Sequence, residues 1–222
     1  MKATFTLLFI AVGYYSTGQV SQGQVSYDLF FKSDDPQTSA YMSNMEGSTL
    51  EIYFMGDKLR TEMVMGEFMT QITIQEKGQD TTLSLIDGMM GKIATKMTEN
   101  DLDDEQKLAM AERQIALVDG SKEIIGYSCK KAIITDADGN ESVIWYTPEI
   151  LPNFRKGQYL SEEIPGMPLE MHSNWGKMEI TSVAFEFSKK IKKPEKLFDQ
   201  SVPQGYTLRS AEEMKQMGRG RR

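Results

Sequence analysis

The chain predicts a mainly β protein, a strongly curved antiparallel sheet of many short strands with one helix against its concave side. Apolar and polar residues alternate with period two in short runs, as in strands with one buried face. Gly, Asp and Asn separate the runs at hairpin spacing. One segment departs from this pattern, being rich in helix formers and free of Gly and Pro.

The elements follow in order. Residues 24–32 put Val25, Tyr27, Leu29 and Phe31 on one face. Residues 49–55 lead through the turn Met55-Gly-Asp57-Lys58 into a strand from Leu59 to Met65. Strands over 68–75 and 81–86 flank Lys77-Gly-Gln-Asp80, and Asp87-Gly88 turns the chain towards 92–97. The helix is expected over Glu99 to Gln114, with acidic residues at its start and Lys107 and Arg113 later, the polarity a helix dipole favours. Strands resume over 115–118, 124–135 and 143–146, with Asp136 to Asn140 as a turn. Leu151 to Pro165 has no period and reads as a surface loop. Residues 169–172 and 179–187 pair across Asn174-Trp-Gly176, with Val183, Phe185 and Phe187 towards the core. A short polar helical tail closes the chain.

The chain has 222 residues and is 40% hydrophobic, enough for one domain with its own core. Lys2, the apolar run Ala3 to Tyr15 and the small residues Ser16-Thr-Gly18 read as a signal peptide over 1–18. The expected division is that segment, one β-rich domain over 19–209, and a polar, basic tail over 210–222 ending in Arg219-Gly-Arg221-Arg222. Loss of Lys2 takes the formal charge from −7 to −8. No Cys stands directly after the cleavage position, and no later run is long enough for a transmembrane helix. The expectation is an exported protein of the periplasm, outer-membrane associated or extracellular, with no transmembrane span in the mature chain. An acidic balance with a pI near 4.9 argues against nucleic acid as a partner.

Little catalytic chemistry is legible. One Cys, Cys129, and one His, His172, can build neither a disulfide nor a closed zinc site. Cys129 reads as a small buried hydrophobe. Asp136, Asp138 and Asn140 resemble the opening of a calcium loop, but Glu141 stands where Gly belongs and Thr147 where the bidentate Glu belongs. No phosphate-binding Gly-rich loop and no Gly-x-Ser-x-Gly elbow occurs. Acid–base work by two of the 32 Asp and Glu stays open, without a motif to single out a pair. Neither enzymatic activity, nor a metal, nor a cofactor is expected.

Methionine is the unusual component, with 16 residues. Met55, Met63, Met65, Met69, Met89, Met90 and Met97 fall on expected inner faces. They read as gap fillers in a core, or together as a surface that adapts to ligands of varied shape. Met171-His172 leaves a Cu(I) site as a third reading. Trp145 and Tyr146 point to opposite faces of one strand, so one packs inward. Phe154, Tyr159 and Leu160 lie among Arg155, Lys156, Glu162 and Glu163, the composition of a protein interface, although such a loop can also fold back on its own domain.

Three blocks carry a resemblance: Lys122-Glu-Ile-Ile-Gly-Tyr-Ser-Cys-Lys-Lys-Ala132, Trp145-Tyr-Thr-Pro-Glu-Ile150 and Ile164-Pro-Gly-Met-Pro-Leu-Glu170. Their order and wording resemble the GLPGLI-type family of secreted Gram-negative envelope proteins. Pro165-Gly166 fits the core of its signature, while Pro168 stands in place of an aliphatic residue. The resemblance covers roughly Lys122 to Phe187, and that family is similar in outline to periplasmic lipoprotein carriers, half-open antiparallel barrels around a helix. It implies a half-barrel, and it adds no ligand identity. The function expected from all this is a non-catalytic periplasmic binding protein with an apolar or lipid-like ligand in the cavity. Met55, Met63, Met65, Met69, Met89, Met97 and Trp145 would line that cavity. The alternative is an interaction subunit of an outer-membrane complex that docks an envelope protein through Phe154, Tyr159 and Leu160.

Overall fold

In a computed structural model, residues 19–157 and 160–219 are described. Twelve strands form one open, curved sheet, mostly antiparallel, in the order β12-β6-β5-β4-β3-β2-β1-β11-β10-β9-β8-β7. The strands are β1 (Gln22–Lys32), β2 (Thr49–Met55), β3 (Lys58–Met65), β4 (Met69–Glu76), β5 (Thr82–Gly88), β6 (Gly91–Met97), β7 (Gln114–Ile124), β8 (Tyr127–Thr135), β9 (Glu141–Thr147), β10 (Met167–Trp175), β11 (Met178–Ser188) and β12 (Thr207–Arg209). Short helices are α1 (Pro36–Met42), α2 (Asp104–Glu112), α3 (Pro194–Leu197) and α4 (Ala211–Arg219). The expected signal peptide, the end of the basic tail and Tyr159 lie outside the described residues.

Each hairpin of the meander takes its form from a short turn. Gly56 and Gly78 have positive φ between β2 and β3 and between β4 and β5. Such positions suit Gly, which has no Cβ to clash there. The first strand is central. It pairs with β2 on one edge and with β11 on the other, placing Val25 opposite Ile52 and Tyr27 opposite Leu50 and Ala184. Strand alternation puts these residues on one face, and all of them are buried. The same core takes in Leu59 from β3, Ala132 and Cys129 from β8, Ile144 and Tyr146 from β9, and Met167, Leu169 and Met171 from β10.

The concave face is covered differently from expectation. Every described side chain of α2 is exposed, including Leu108, so none of the described ones fills the concave face. The helix itself is where the sequence places it, but shorter, since Glu99–Asp101 form a separate turn closed by a capping box on Thr98. The core of this face is instead filled by the segment after β9, whose Ile150, Phe154, Leu160 and Ile164 join the cluster with β1–β3. An apolar residue at each of these places makes the segment a wedge that buries itself.

The opposite face of β4–β6 has its own cover. Ile74, Leu83, Leu85 and Ala94 are buried under Val202 and Tyr206 of the segment that follows β11. Arg60 Nη1 donates to the Leu197 carbonyl at 3.2 Å, and Lys92 Nζ lies 5.5 Å from the Tyr206 ring. The strap then adds β12 in parallel to β6, and α4 packs on β6.

Two local corrections follow. The run 124–135, read as one strand, is broken by a hairpin turn at Ile125 and Gly126, with φ of 44° and 80°. Two consecutive positive φ values suit a tight hairpin turn, but a β-branched residue seldom adopts one, which hides the turn. The strand before it runs on to Ile124 through a bulge between Val118 and Ser121.

Candidate functional site

Among the described residues, the far half of the concave face is left open. Cross-strand pairs Leu59–Gln75, Thr61–Thr73 and Met63–Gln71 join β3 to β4. The pairs Thr73–Ser84 and Gln71–Ile86 continue onto β5. Directly opposed residues share a face, so Thr61, Gln71, Thr73, Gln75 and Ser84 form a floor continuous with the buried row of Ile52 and Leu50. Thr82 is on the same floor, accepting a hydrogen bond from Gln75 Nε2 at 3.2 Å. At its inner end the floor meets Lys156, Gly157 and Leu160 across a cleft of about 90 Å³. Lys156 is ion-paired with Glu99, which ties this rim to the turn before α2 and holds the Glu99 carboxyl below its ordinary range. Beyond the wedge the floor mixes hydroxyl and amide side chains with Ile86, Ile93 and Met97, which the register puts on the same face. Among the described residues, Thr61, Gln71, Thr73 and Ser84 spend none of their side-chain hydrogen-bonding capacity on protein partners.

The methionines expected to line one cavity are dispersed. Register places Met63, Met65, Met69 and Met97 on the concave face. Met65 is buried, and Met63 packs against the core. Met55, opposite Lys58, points to the other face, and Met89 is 85% exposed in the turn after β5. No one cavity takes them all, because the alternation of β2 and the reach of a turn divide them, although Met69 and Met89 share a shallow surface depression.

Trp145 is half-buried and packs against the core cluster, while Tyr146, its neighbour on the strand, is buried. The Trp145 ring packs along Gly120, in the bulge of β7, with Lys122 Nζ 4.9 Å and Lys131 Nζ 5.9 Å from its centroid. Two ammonium groups so near an indole are held by its negative face. Lys122 also donates to Glu170 Oε2 at 2.5 Å, while Glu170 Oε1 is 2.6 Å from His172 Nε2. Burial works to raise the Glu170 pKa, but these two partners outweigh it and hold the carboxyl below its usual range. An ionised carboxylate only accepts, so Nε2 carries the proton, and Nδ1 is free to accept from Thr181 Oγ1 at 3.1 Å. Lys122, Glu170, His172 and Thr181 are thus engaged with one another, as in a structural network.

Of the expected docking loop, the two described anchors are not presented to solvent. Phe154 and Leu160 are buried in the core cluster, because folding them inward covers the concave face. Cys129 is fully buried, its thiol raised to about 11 chiefly by burial, with Lys122 pulling the other way. A thiol so protonated is a poor nucleophile. Among the described residues no cluster of three His, Cys, Asp or Glu side chains is arranged to hold a metal. The polar floor was missed from sequence. Its signal was the alternation of Thr and Gln over Gln71, Thr73 and Gln75, which reads as an ordinary solvated strand face.

A family model described as "N-glycanase peptide, N-terminal domain" matches residues 48–207. The matching family is therefore a different one from the GLPGLI-type family that residues 122–187 resemble. No curated protein sequence matches the chain. Among solved structures, PNGF-II in a C2 crystal form aligns with 89% of this chain and 32% of its own, at 16% identity and a TM-score of 0.55. The same protein in a P21 form gives 89% and 33%, 16% identity and a TM-score of 0.53. The LolA superfamily protein NE2245 from Nitrosomonas europaea covers 81% of this chain and 90% of its own at 8% identity, with a TM-score of 0.33. That score is too low to conclude a shared fold. The chain thus spans about a third of the length of PNGF-II.

Proposed function

The chain belongs to the family of the N-glycanase N-terminal domain, and from that premise we propose that it is a non-catalytic binding domain whose open groove over β3–β5 holds a neutral, polar ligand. The glycan of an asparagine-linked glycopeptide is the class we favour. The observation that carries this reading is the floor itself: Thr61, Gln71, Thr73, Gln75, Thr82 and Ser84 supply donors and acceptors and no charge. Sugars present rows of hydroxyls, and a neutral hydroxyl-and-amide surface can match them without burying an unpaired charge. An acyl chain needs an apolar enclosure of several hundred Å³. Here the apolar part of the concave face is filled by Phe154, Leu160 and Ile164, and the cleft left beside them is about 90 Å³.

The absence of catalysis is part of the proposal. It is supported by the protonated, buried Cys129 and by His172, which faces away from the groove with both ring nitrogens engaged. Export is proposed on the sequence of residues 1–18 alone. N-terminal sequencing of protein recovered from the envelope fraction checks it, and an intact Met1 there overturns it.

Calorimetric titration with an asparagine-linked glycopeptide, its free oligosaccharide and a fatty acid tests the ligand. The glycopeptide or oligosaccharide should bind and the fatty acid should not. The double variant Gln71→Leu, Thr73→Val should lose at least about tenfold in affinity while keeping its fold. Binding of the fatty acid alone, or equal glycan binding by the variant, overturns the reading.

A further inference from the structure

Four of the exposed large hydrophobic side chains gather at one end of the sheet: Phe30, Phe68, Met89 and Met90. The β3–β4 turn abuts the segment before β2 there. Gly66 N donates to Ser48 Oγ at 3.0 Å, and a Cβ on Gly66 would stand 2.1 Å from the Asn44 carbonyl oxygen. That close approach joins three shallow depressions into one. The largest, about 520 Å³, has Phe68 and Met89 in its wall. It shares Glu46 and Gly47 with a second of about 450 Å³ that runs past Met42 and Met45 to Phe30. It shares Glu67, Phe68 and Met89 with a third that reaches Asp87.

The unpaired charge of the rim has one sign, while Asp87 is ion-paired with Lys92. Asp28, Glu46 and Glu67 are exposed and, among the described residues, in no ion pair, and no Lys or Arg lines any of the three depressions. None of the floor residues of the groove lines them either.

We propose that this end is a docking surface for a basic polypeptide segment of another protein, one that carries apolar anchors between Lys or Arg residues. Thioethers supply a flexible, polarizable floor that accepts side chains of varied shape. The acidic rim steers and registers a cationic chain and repels anionic lipid head groups. A second copy placed face to face would set Glu46 and Glu67 against their own kind, which disfavours self-association. This surface is independent of the groove, so failure of either reading leaves the other standing.

The test is fluorescence anisotropy with a labelled amphipathic Leu/Lys peptide and its Leu/Glu counterpart, at physiological salt, on the full chain. The Leu/Lys peptide should bind and the Leu/Glu peptide should not. Phe68→Ser with Met89→Ser leaves the net charge unchanged and should weaken binding at least about tenfold. Glu46→Gln with Glu67→Gln should weaken it and flatten its salt dependence. Both pairs are exposed, so the melting temperature should hold. If the Ser pair binds as wild type, the attraction is only that of an acidic protein and the proposal falls. It falls equally if the protein sediments as a dimer through this face, or if anionic vesicles bind and the peptide does not.

Discussion

Gly166 lies where no side chain fits, since an added Cβ would stand 2.2 Å from the Thr147 carbonyl oxygen and 2.9 Å from the Tyr146 ring. The obstacle is backbone, so the change must push β10 away from β9. Gly166→Ala should cost about 1–3 kcal/mol, read as a lower urea midpoint. Phe154 offers the complementary case. Truncation to Ala empties a place in the core and should cost about 3–5 kcal/mol, whereas Leu108→Ala on exposed α2 should stay within about 0.5 kcal/mol. Equal effects from the two would contradict the assignment of the wedge, rather than the helix, as the cover of the concave face. Tyr27 adds a polar pin: its fully buried hydroxyl donates to the Pro168 carbonyl at 2.6 Å, and burial raises its pKa far above the ordinary phenol range.

At the scale of elements, the strap after β11 covers residues that no strand covers. A chain ended at Ser188 leaves Ile74, Leu83, Leu85 and Ala94 without Val202 and Tyr206. It should bind a hydrophobic dye and melt at a lower temperature, in a broader transition, than the full chain. Most strands were legible because each has one buried face, and the alternation in Val25, Tyr27 and Leu29 or Leu50, Ile52 and Phe54 states that face outright. β12 was not, since all three of its residues are exposed and its place comes from parallel pairing with β6. The wedge was invisible for another reason. Phe154, Leu160 and Ile164 are spaced with no period, so nothing local distinguishes anchors turned inward from anchors offered to a partner. The polar floor suffered likewise, for only the register of β3, β4 and β5 assembles Thr61, Thr73 and Ser84 into one surface.

For the whole molecule, acidity is the condition that matters most. Glu170 is held low by Lys122 and His172, and Asp35 by Lys177 and Thr38. A carboxyl with a lower pKa folded than unfolded binds fewer protons when folded through the interval between them. Its stabilisation is therefore complete above the unfolded value, near pH 4 to 4.5, and is lost as pH falls towards the folded one. The urea midpoint should be steady from about pH 7 to 5 and drop below about pH 4. Glu170→Gln should be less stable at neutral pH and lose less on acidification. A midpoint rising on acidification would contradict these assignments.

The position of β1 carries a consequence for how the molecule is made. Its partner on one side follows at once in β2, but the other, β11, is among the last parts of the sheet to be synthesised, with Val25 opposite Phe187. A nascent chain therefore exposes one edge of its central strand, with unpaired amides and carbonyls, until β11 has emerged. Closing that gap is a long-range event whose entropic cost precedes its reward, which sets refolding in the range of milliseconds to seconds. Until then the chain is open to pairing with its neighbours, and a fragment ending before Met178 keeps that edge for good.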